Sequence, residues 1–435
     1  MKFKILFVLA LICLLIPSVS AMGGSGTIGD PYIIYDETDL QFIYHDLGAY
    51  YALGNDIYMY GVTWTPQGSA DTPFIGDFDG RGYTIIRLNI SSTDSNYGLF
   101  GVVSSGVSIR NFTLENCFIT GTNSSVGMIA GSVIMSSLIH DTLSIENITI
   151  NNSTINVGDE SGTMRASYGI GYVNNYAEVE FNHVYINNCK LTSSGNFVGN
   201  FVGSINTNSN LTILNCQVNN CDMSASNSAG VGGFVGSVSG ASSVFIDDTS
   251  QLNYSTVKNP SGYSVGGLVG LVNVNSNVNI YGNGNTLIES CQIIDSDGGI
   301  VGGIVGYANS YSIIKVDKVK VHNSVISATE DYVGGIIGLG YSNADVNITS
   351  CYIDDSVISG AISIGGIAGE FDDGASGNFD DCVVYYSTIV GSNTNVGGII
   401  GKINYVTYDI TNASVIKSCI KGSGYVSGIA GIILV

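Results

Sequence analysis

The sequence predicts an all-β protein, a right-handed parallel β-helix (a β-solenoid) of about ten or eleven coils with a short N-terminal capping helix. Three observations lead to this prediction. A Gly-bracketed apolar hexad recurs along the chain, a second pattern built around Cys or Ser recurs between the hexads, and 58 of the 435 residues are Gly while only 11% are charged. Such periodicity is typical of repeat units that stack and bury an apolar core between neighbouring coils.

The hexad consists of apolar residues bracketed by Gly, as in Val231-Gly-Gly-Phe-Val-Gly236, and from Val198 onward its copies start 30 to 36 residues apart. The copies begin at Val126, Val198, Val231, Val265, Val301, Val333, Ile364, Val396 and Val426, with looser versions at Tyr97 and Tyr168. Gly inside a strand costs stability, so its recurrence in every unit indicates close approach of stacked coils or a bend. We expect each hexad to supply one strand.

The second pattern reads apolar, any, any, Cys or Ser, any, apolar, with a further apolar residue two positions earlier in most copies. Its ten Cys or Ser positions are Cys117, Ser153, Cys189, Cys216, Ser255, Cys291, Ser324, Cys351, Cys382 and Cys419. Apolar residues at i and i+2 share one face of a strand, whereas i+5 and i+7 require a slip of one residue. A strand, a one-residue corner and a second strand produce this slip, which with the hexad gives a three-sided coil.

Two other folds were weighed against the solenoid. A period near 33 residues also occurs in ankyrin and TPR helices. The repeats are rich in Gly, Val, Ile, Ser, Thr and Asn, and poor in the strong helix formers, so a β-structure is favoured. An antiparallel sandwich is the runner-up, but it gives no reason for ten matching Cys or Ser positions.

The chain divides into three parts. Residues 1–21 resemble a signal peptide, because Lys2 and Lys4 precede an apolar stretch that ends at Pro17 and small residues lead to Ala21. A membrane anchor is the alternative for this segment. Residues 22–96 form an N-terminal cap and the first strands, and residues 97–435 form the repeat solenoid.

The cap contains the predicted helix. Thr38-Asp-Leu-Gln41 fits a capping box with Thr38 as the N-cap. Leu40, Ile43, Tyr44 and Leu47 follow at the spacing of one helical face. An amphipathic helix at this place is suited to cover the open apolar end of the first coil.

The opening segment resembles that of GLUG-repeat proteins. The resemblance is carried by Asp30-Pro-Tyr-Ile, Leu53-Gly-Asn-Asp-Ile57, Trp64-Thr-Pro, the run from Phe74 to Ile85 and Tyr97-Gly-Leu-Phe-Gly101, and the later hexads are similar to the GLUG motif itself. The resemblance implies a secreted or surface β-helical protein of the adhesin-like kind. Some IgA-cleaving metallopeptidases carry such repeats ahead of a catalytic domain, but this sequence has no His-Glu-x-x-His.

Charge and motif content exclude several function classes. The formal net charge of −21 disfavours nucleic acid and anionic lipid as ligands. The four His residues (His45, His140, His183 and His322) include no pair at i, i+4, so a helical zinc site is absent. Gly262-Tyr-Ser-Val-Gly266 matches Gly-x-Ser-x-Gly only formally, since it runs into a hexad instead of a strand-to-helix turn.

Acid pairs are the remaining catalytic candidates, because polysaccharide lyases and hydrolases occur on β-helices. They are Asp77/Asp79, Asp247/Asp248, Asp295/Asp297, Asp354/Asp355 and Asp372/Asp373. A glycosidase needs two carboxylates that face each other across the substrate. Asp79 with Arg81 is conceivable as an acid–Arg site, and a turn with a solvated Arg81 is the favoured interpretation. Calcium binding by exposed acids is also conceivable, but solvated acids are favoured.

The cysteines are predicted to be buried, unpaired core residues. Apart from Cys13 in the signal segment, seven fall in the Cys or Ser position of the second pattern and Cys221 alone falls outside it. Disulfide scaffolds seldom place Cys at one repeated phase. Exported chains also carry glycans on Asn-x-Ser/Thr, and ten such sites occur: Asn89, Asn111, Asn123, Asn147, Asn151, Asn152, Asn210, Asn253, Asn347 and Asn412.

The sequence therefore predicts a non-enzymatic secreted or cell-surface repeat protein with an adhesin-like binding or structural role. Its expected partners are extracellular glycans or surface proteins, with Tyr, of which there are 26, as recognition residues. No catalytic, cofactor or metal residue is assigned. A polysaccharide lyase or glycoside hydrolase on the same scaffold is the alternative. The sequence stops inside a hexad, at residues 428–435, and we expect self-association through this uncapped coil.

Overall fold

The chain forms a parallel β-solenoid of about eleven coils. The computed structural model describes residues 22–92, 95–122, 125–135, 141–158, 163–393 and 395–434, and the predicted signal peptide lies outside them. One sheet has 22 strands and three sheets have eleven strands each. Successive coils pair in parallel and in register, so that Thr142–Asn151 lies along Glu178–Asn187. The all-β solenoid predicted from the sequence is confirmed.

Sheet 1 is the 22-stranded sheet, and the regular coils place one long strand or two short strands in it. Its strands are Tyr32–Ile34, Tyr50–Leu53, Ile57–Tyr58, Asp77–Asp79, Thr84–Ile86, Ser108–Glu115, Thr142–Asn151, Glu178–Asn187, Asn210–Leu214, Gln217–Asn219, Ser243–Ile246, Gln251–Asn253, Asn277–Tyr281, Thr286–Glu289, Ile313–Asp317, Lys320–His322, Asp345–Thr349, Tyr352–Asp354, Ser376–Asp380, Val383–Tyr385, Thr407–Thr411 and Ser414–Ile416.

Sheets 2, 3 and 4 each receive one strand per coil. Sheet 2 contains Asn89–Ser92, Phe118–Thr122, Thr154–Gly158, Lys190–Ser193, Asp222–Ala225, Thr256–Asn259, Gln292–Asp295, Val325–Ala328, Val357–Gly360, Thr388–Gly391 and Cys419–Lys421. Sheet 3 contains Asn96–Tyr97, Ser125–Gly127, Arg165–Ser167, Phe197–Gly199, Gly230–Gly232, Ser264–Gly266, Ile300–Gly302, Tyr332–Gly334, Ser363–Gly365, Asn395–Gly397 and Tyr425–Ser427. Sheet 4 contains Phe100–Ser104, Ala130–Ile134, Ile170–Val173, Val202–Ile205, Val235–Val238, Val269–Val272, Val305–Ala308, Ile337–Gly340, Ala368–Phe371, Ile400–Asn404 and Ala430–Leu434.

Two similar corners shape most coils, one within sheet 1 and one between sheets 1 and 2. At each corner a single residue adopts the left-handed conformation, as Asn215 (φ 53°) and Asn220 (φ 53°) do in one coil. Asn favours this conformation because its short polar side chain bonds locally. The residue after each corner residue points inward, and here these are Cys216 and Cys221. The predicted one-residue corner is thus correct, but it occurs twice in a coil.

The corner between sheets 1 and 2 explains the alternation of Cys and Ser. The backbone N–H of Cys117 donates to Ser153 Oγ of the next coil (3.0 Å), and Ser153 Oγ donates to the carbonyl of Asn151 (2.7 Å). A thiol takes the same role where Ser153 N–H donates to Cys189 Sγ (3.4 Å). A small side chain with an acceptor is therefore needed at this place, since a buried N–H without a partner costs about 1–3 kcal/mol.

The hexad supplies two short strands, not one. In the coil that contains Val231–Gly236 the chain bends between the sheet 3 strand Gly230–Gly232 and the sheet 4 strand Val235–Val238. The three-sided coil predicted from the sequence is therefore wrong: each regular coil runs through four sheets.

Glycine at the bend is required by close approach of the next coil. A Cβ on Gly267 would lie 1.9 Å from the carbonyl oxygen of Gly303, and a Cβ on Gly303 would lie 2.0 Å from that of Gly335. The same contact recurs along the rod, since a Cβ on Gly398 would lie 2.1 Å from the oxygen of Gly428. The backbone carbonyl of the next coil occupies the place of the side chain, and a core side chain such as Ile293 lies within 3 Å, so no side chain fits.

The N-terminal helix is present but begins two residues earlier than the capping box implied. It spans Glu37–Gln41 and continues as a 3₁₀ turn over Phe42–His45. The N-cap is Asp36, whose carboxylate accepts the N–H groups of Thr38 and Asp39. A carboxylate replaces the predicted Thr38 hydroxyl, because Asp is at least as good an N-cap and sits at the turn from the first strand.

The helix closes the N-terminal end of the core. Leu40 and Ile43 are buried in the same core cluster as the solenoid residues. Gln41 is held by a reciprocal pair of hydrogen bonds with the backbone of Thr65. The adjacent Trp64 is buried and donates its indole N–H to the carbonyls of Gly98 and Leu99. The cap is therefore tied to the first hexad by hydrogen bonds as well as apolar contacts.

We predict that Gly303→Ala destabilises the solenoid by about 2–3 kcal/mol, because the added methyl group must push two coils apart. The matched control is Gly428→Ala, since nothing lies within 4 Å of a Cβ at the same position of the last described coil. Urea unfolding monitored by far-UV circular dichroism compares the two. Equal stability losses in both variants would contradict the close-approach explanation.

Candidate functional site

The carboxylate of Asp79, the acid of the possible acid–Arg site with Arg81, is engaged in hydrogen bonds and an ion pair that hold the local structure. Asp79 Oδ1 accepts the backbone N–H of Arg81 (2.9 Å) and the amide of Asn111 (3.0 Å). Asp79 Oδ2 lies 3.3 Å from Nε of Arg110. Asp77 separately accepts the N–H of Ser108 (2.7 Å). The guanidinium that pairs with Asp79 therefore belongs to Arg110, and the two acids serve different backbone positions.

Two further acid pairs each have one member with local partners. Asp247 accepts the hydroxyls of Thr249 and Ser250, both at 2.6 Å. Asp354 lies 3.2 Å from Lys320 Nζ and 3.0 Å from His322 Nδ1. Among the described residues, no group of three or more His, Cys, Asp or Glu side chains is arranged to hold a metal ion.

The serine of the Gly-x-Ser-x-Gly match at residues 262–266 is also held in a structural hydrogen bond. Ser264 lies in a sheet 3 strand and donates its buried hydroxyl to the carbonyl of Gly270 (2.6 Å). Of the histidines, His183 occupies a left-handed corner and His45 stacks on the ring of Phe42. His140 lies outside the described residues.

Several predicted glycan acceptors are engaged in side-chain ladders on sheet 1. Asn151 accepts a hydrogen bond from Asn187 (3.0 Å), and Asn253 donates to Asn219 (2.9 Å). Asn147 donates to Asn111 (3.1 Å). Glycosylation stays a prediction for these positions, and Asn123 lies outside the described residues.

Seven of the eight cysteines that follow the predicted signal are buried as predicted, and the prediction is wrong for the exposed Cys419; several also occupy different positions from those expected. Cys221 is not out of register: it lies directly over Cys189 in the corner between sheets 1 and 2, the ladder that also contains Cys117 and Cys291. The residues at the corner within sheet 1 are Cys216, Cys351 and Cys382. Ser418 takes the corner position in the last described coil, which leaves Cys419 exposed. The sequence pattern merged two corners with identical geometry.

A surface groove that sequence reasoning missed lies outside the hexads. We define the hexad groove by the residues that flank the Gly-bracketed segment in register from coil to coil and face outward from sheets 3 and 4. In the third coil the register places this segment at Ala166–Gly171, two residues before the looser copy assigned at Tyr168. From the third coil the groove residues are Arg165, Phe197, Gly230, Ser264, Ile300, Tyr332, Ser363, Asn395 and Tyr425 in sheet 3, and Tyr172, Ser204, Ser237, Leu271, Tyr307, Leu339, Glu370, Lys402 and Ile432 in sheet 4. The glycine bend turns the two outer faces toward each other, so the groove is concave.

The middle of the hexad groove has an apolar floor. Leu271, Ile300, Tyr307 and Leu339 form a cluster outside the main core, with residue exposures of only 2–8% although they point away from it. The partly buried Phe197 and Tyr332 pack against this cluster.

Tyrosine rings continue this floor to the groove surface. The ring of Tyr307 lies 5.5 Å from that of Tyr263 and 6.5 Å from that of Tyr341. Tyr263 is 51% exposed and Tyr341 37% exposed. The middle of the groove therefore offers accessible aromatic surface above a packed apolar floor.

Carboxylates flank these rings. Burial, followed by the charges of Glu370, Asp331 and Asp372, raises the pKa of Tyr332 to about 12. The charge of Asp373 is the main cause of the raised pKa of Tyr341. The aromatic surface thus lies in a negative field.

At its two ends the groove holds the chain's own cations. In the third coil the guanidinium of Arg165 lies 3.9 Å above the ring centroid of Tyr172. In the tenth coil Lys402 Nζ donates to Glu370 Oε1 (2.8 Å), and Ser363 donates to Glu370 Oε2 (2.7 Å). The signal in the sequence that could have found the groove is the pair of positions that flank each hexad, where a purely structural repeat has no need of Ile, Leu and Tyr.

Comparisons with known proteins give two partial matches. A segment of 131 residues is 38% identical to halomucin of Haloquadratum walsbyi, and covers 25% of this chain and 1% of halomucin. A segment of 121 residues is 35% identical to a protein named as a Gly-rich membrane protein in Evansella cellulosilytica, and covers 25% of this chain and 14% of that protein. The chain thus spans a small fraction of these relatives.

No protein-family profile matches the chain, so the resemblance to GLUG-repeat proteins stays a prediction. Among solved structures, a protein of Bacteroides ovatus designated an immunoglobulin A1 protease is similar over 93% of this chain and 86% of that chain, with 18% identity and a TM-score of 0.31. No helix among the described residues is long and apolar enough to cross a bilayer.

One buried carboxyl has an unusual environment. Asp295 in sheet 2 is 1% exposed and lies in register with Asn259 of the preceding coil. Asp295 Oδ1 accepts the N–H of Asp297, whereas neither Asp295 Oδ2 nor Asn259 Oδ1 has a partner. Burial is the main cause that raises the pKa of Asp295 to about 6, followed by the opposing hydrogen bond from Asp297 and the charges of Asp297 and Asp331. Protonation turns Asp295 Oδ2 from an acceptor without a partner into a hydrogen-bond donor.

We predict that Asp295 makes the solenoid less stable as pH rises from about 4 to about 6. Its pKa is raised in the folded state, so the unfolded chain loses the proton first and stability falls with pH across this window. Asp295→Asn should therefore be more stable than wild type at pH 8, by at most about 3 kcal/mol, and close to it at pH 4. Urea unfolding at both pH values measures this, with Asp222→Asn, an exposed position in the same sheet, as control. A difference that does not change with pH would contradict the prediction.

We predict one fast-reacting thiol and seven slow ones in the native chain that follows the predicted signal. Burial raises the pKa of Cys117, Cys216, Cys291 and Cys382 to about 12, which removes the reactive thiolate at neutral pH. Cys419 is exposed. Alkylation followed by intact mass measurement should add one label quickly and the rest on unfolding, and Cys419→Ser should abolish the fast label. A mass lowered by several disulfides would contradict unpaired cysteines.

Proposed function

We propose that the protein is a non-enzymatic secreted or cell-surface repeat protein with an adhesin-like binding role, of the GLUG-repeat kind. The observation that carries this proposal is the hexad groove, which brings aromatic, apolar and charged side chains together on the outside of a rigid rod. Side chains in a parallel stack are held at a spacing of about 4.8 Å from coil to coil. Such a surface suits recognition of an extended partner.

Three further observations support the proposal. The matched relatives are, by name, a mucin-like and a membrane protein. The predicted signal peptide agrees with export. In at least three of the five acid pairs on which a lyase or glycosidase would depend, at least one carboxylate is engaged by backbone or side-chain partners, as Asp79, Asp247 and Asp354 are.

We predict that the purified chain releases no products from a panel of polysaccharides but binds to surface glycans or surface proteins displayed on an array. Reducing-end and unsaturated-product assays measure turnover, and array binding measures recognition. Turnover that Asp79→Asn abolishes would contradict the proposal in favour of a polysaccharide-degrading enzyme. A chain that neither turns over nor binds would contradict the binding role.

A further inference from the structure

The middle of the hexad groove is strongly one-sided in charge. Three stretches around the groove residues Ile300, Tyr332 and Glu370, namely residues 296–312, 327–345 and 359–376, contain no Lys, Arg or His. They contain seven acids, of which, within the described part of the chain, only Glu370 is paired with a base, Lys402 of the next coil; the others are Asp297, Glu330, Asp331, Asp345, Asp372 and Asp373. Asp331 and Asp372 are partly exposed and Asp373 is exposed, so their charges are available at the surface.

The ends of the same groove show which groups it accepts. Arg165 rests on Tyr172 in one coil, and Lys402 is bound by the buried Glu370 in another. Both cations come from the chain and occupy groove positions equivalent to those of Ile300, Tyr332, Tyr307 and Leu339 in the middle. The middle of the groove therefore has the aromatic rings and carboxylates that hold a cation elsewhere in the groove. The chain places no basic residue at these middle positions.

Recognition in the groove has to use side chains. The backbone groups of sheets 3 and 4 are paired with the coils above and below, as in the registers of Ile300–Gly302 and Val305–Ala308. A partner cannot add a strand there, so rings, apolar groups and carboxylates provide the contacts. A guanidinium gains from both an aromatic face and a carboxylate, whereas a neutral glycan makes no use of the negative field.

We propose that the middle of the hexad groove binds a basic, partly apolar polypeptide segment. Its Arg or Lys side chains lie on the rings of Tyr263 and Tyr341, beside the carboxylates of Asp331, Asp372 and Asp373. Its apolar side chains lie over the floor formed by Leu271, Ile300 and Leu339. This rests on the proposed function and names the partner class of its groove. The partner is a surface or secreted protein with an exposed basic segment.

The test uses the purified chain and a labelled peptide of alternating Arg and Val, followed by fluorescence anisotropy. The peptide should bind at low salt and lose affinity as salt rises. A peptide of alternating Gln and Val and a neutral oligosaccharide are the comparison probes. We expect both to bind at least about ten-fold more weakly, a difference of about 1.4 kcal/mol.

Two matched pairs of variants locate the site. The triple variant Asp331→Asn, Asp372→Asn, Asp373→Asn should weaken peptide binding about ten-fold. The triple variant Glu146→Gln, Asp222→Asn, Asp248→Asn removes the same charge from sheet 1, sheet 2 and the corner within sheet 1, and should change binding less than about two-fold. Tyr341→Ala should weaken binding about three-fold, and Tyr281→Ala, with the same 37% exposure on sheet 1, should not.

Equal losses in both triple variants would show general charge attraction and overturn the proposal. Oligosaccharide binding that is insensitive to salt and stronger than peptide binding would overturn it in favour of a glycan. Array binding by the wild-type chain that survives the groove variants would overturn the groove assignment while leaving the proposed function intact. Absence of all binding would count against both.

Discussion

The structure depends on a hydrogen bond from one buried backbone N–H group at each sharp corner to a side chain of the next coil. A left-handed residue turns the chain by a single step, and the N–H that follows it is buried. The Cys or Ser residue at the same corner of the next coil accepts this N–H, as Ser153 does for Cys117 and Ser324 does for Cys291. Its own hydroxyl then donates to a carbonyl two residues back, as in Ser324 to His322. Since each coil completes the corner below it, the corners link hydrogen bonding to stacking, and a coil is stable only with its neighbour in place.

The glycine bend fixes the outer shape in the same way that the corners fix the core. Backbone carbonyls such as that of Gly303 fill the place of a side chain at Gly267. Because the bend is this tight, the residues on either side of a hexad face one another across a groove. The groove is thus a by-product of the packing that closes the coil, and only the identity of its flanking residues is free to change from coil to coil. Ser204 and Ser237 leave it small and polar, whereas Leu271 and Tyr307 fill it.

The repeat, the parallel stacking and the buried Cys and Ser residues could be predicted because each leaves a periodic trace. The number of corners and sheets in each coil could not be predicted. Ile213-x-x-Cys216 and Val218-x-x-Cys221 are the same pattern at two corners of one coil, so periodicity alone merged them. Thr38 and Gln41 fit the capping-box signature, but Asp36 at the exit of the first strand offers a stronger acceptor and is the N-cap. The groove left no signal in the hexad itself, since its residues lie just outside the repeat that was recognised.

Along one strand, the inward residues are therefore constrained by core packing, whereas the alternate, outward residues can vary from coil to coil. In Ile300–Gly302 the inward Val301 contributes to the core that every coil shares, while Ile300 contributes to a surface cluster that only a few coils share. A repeat protein can acquire a binding surface through such outward positions without loss of stacking, because neighbouring coils contact one another through the inward residues and the backbone. The concentration of acids without bases around the coils of Ile300, Tyr332 and Glu370 is not required by the fold, since other coils stack equally well with Arg165 or Lys402 in the groove. A local bias that the fold does not require is most simply explained by what that part of the surface meets.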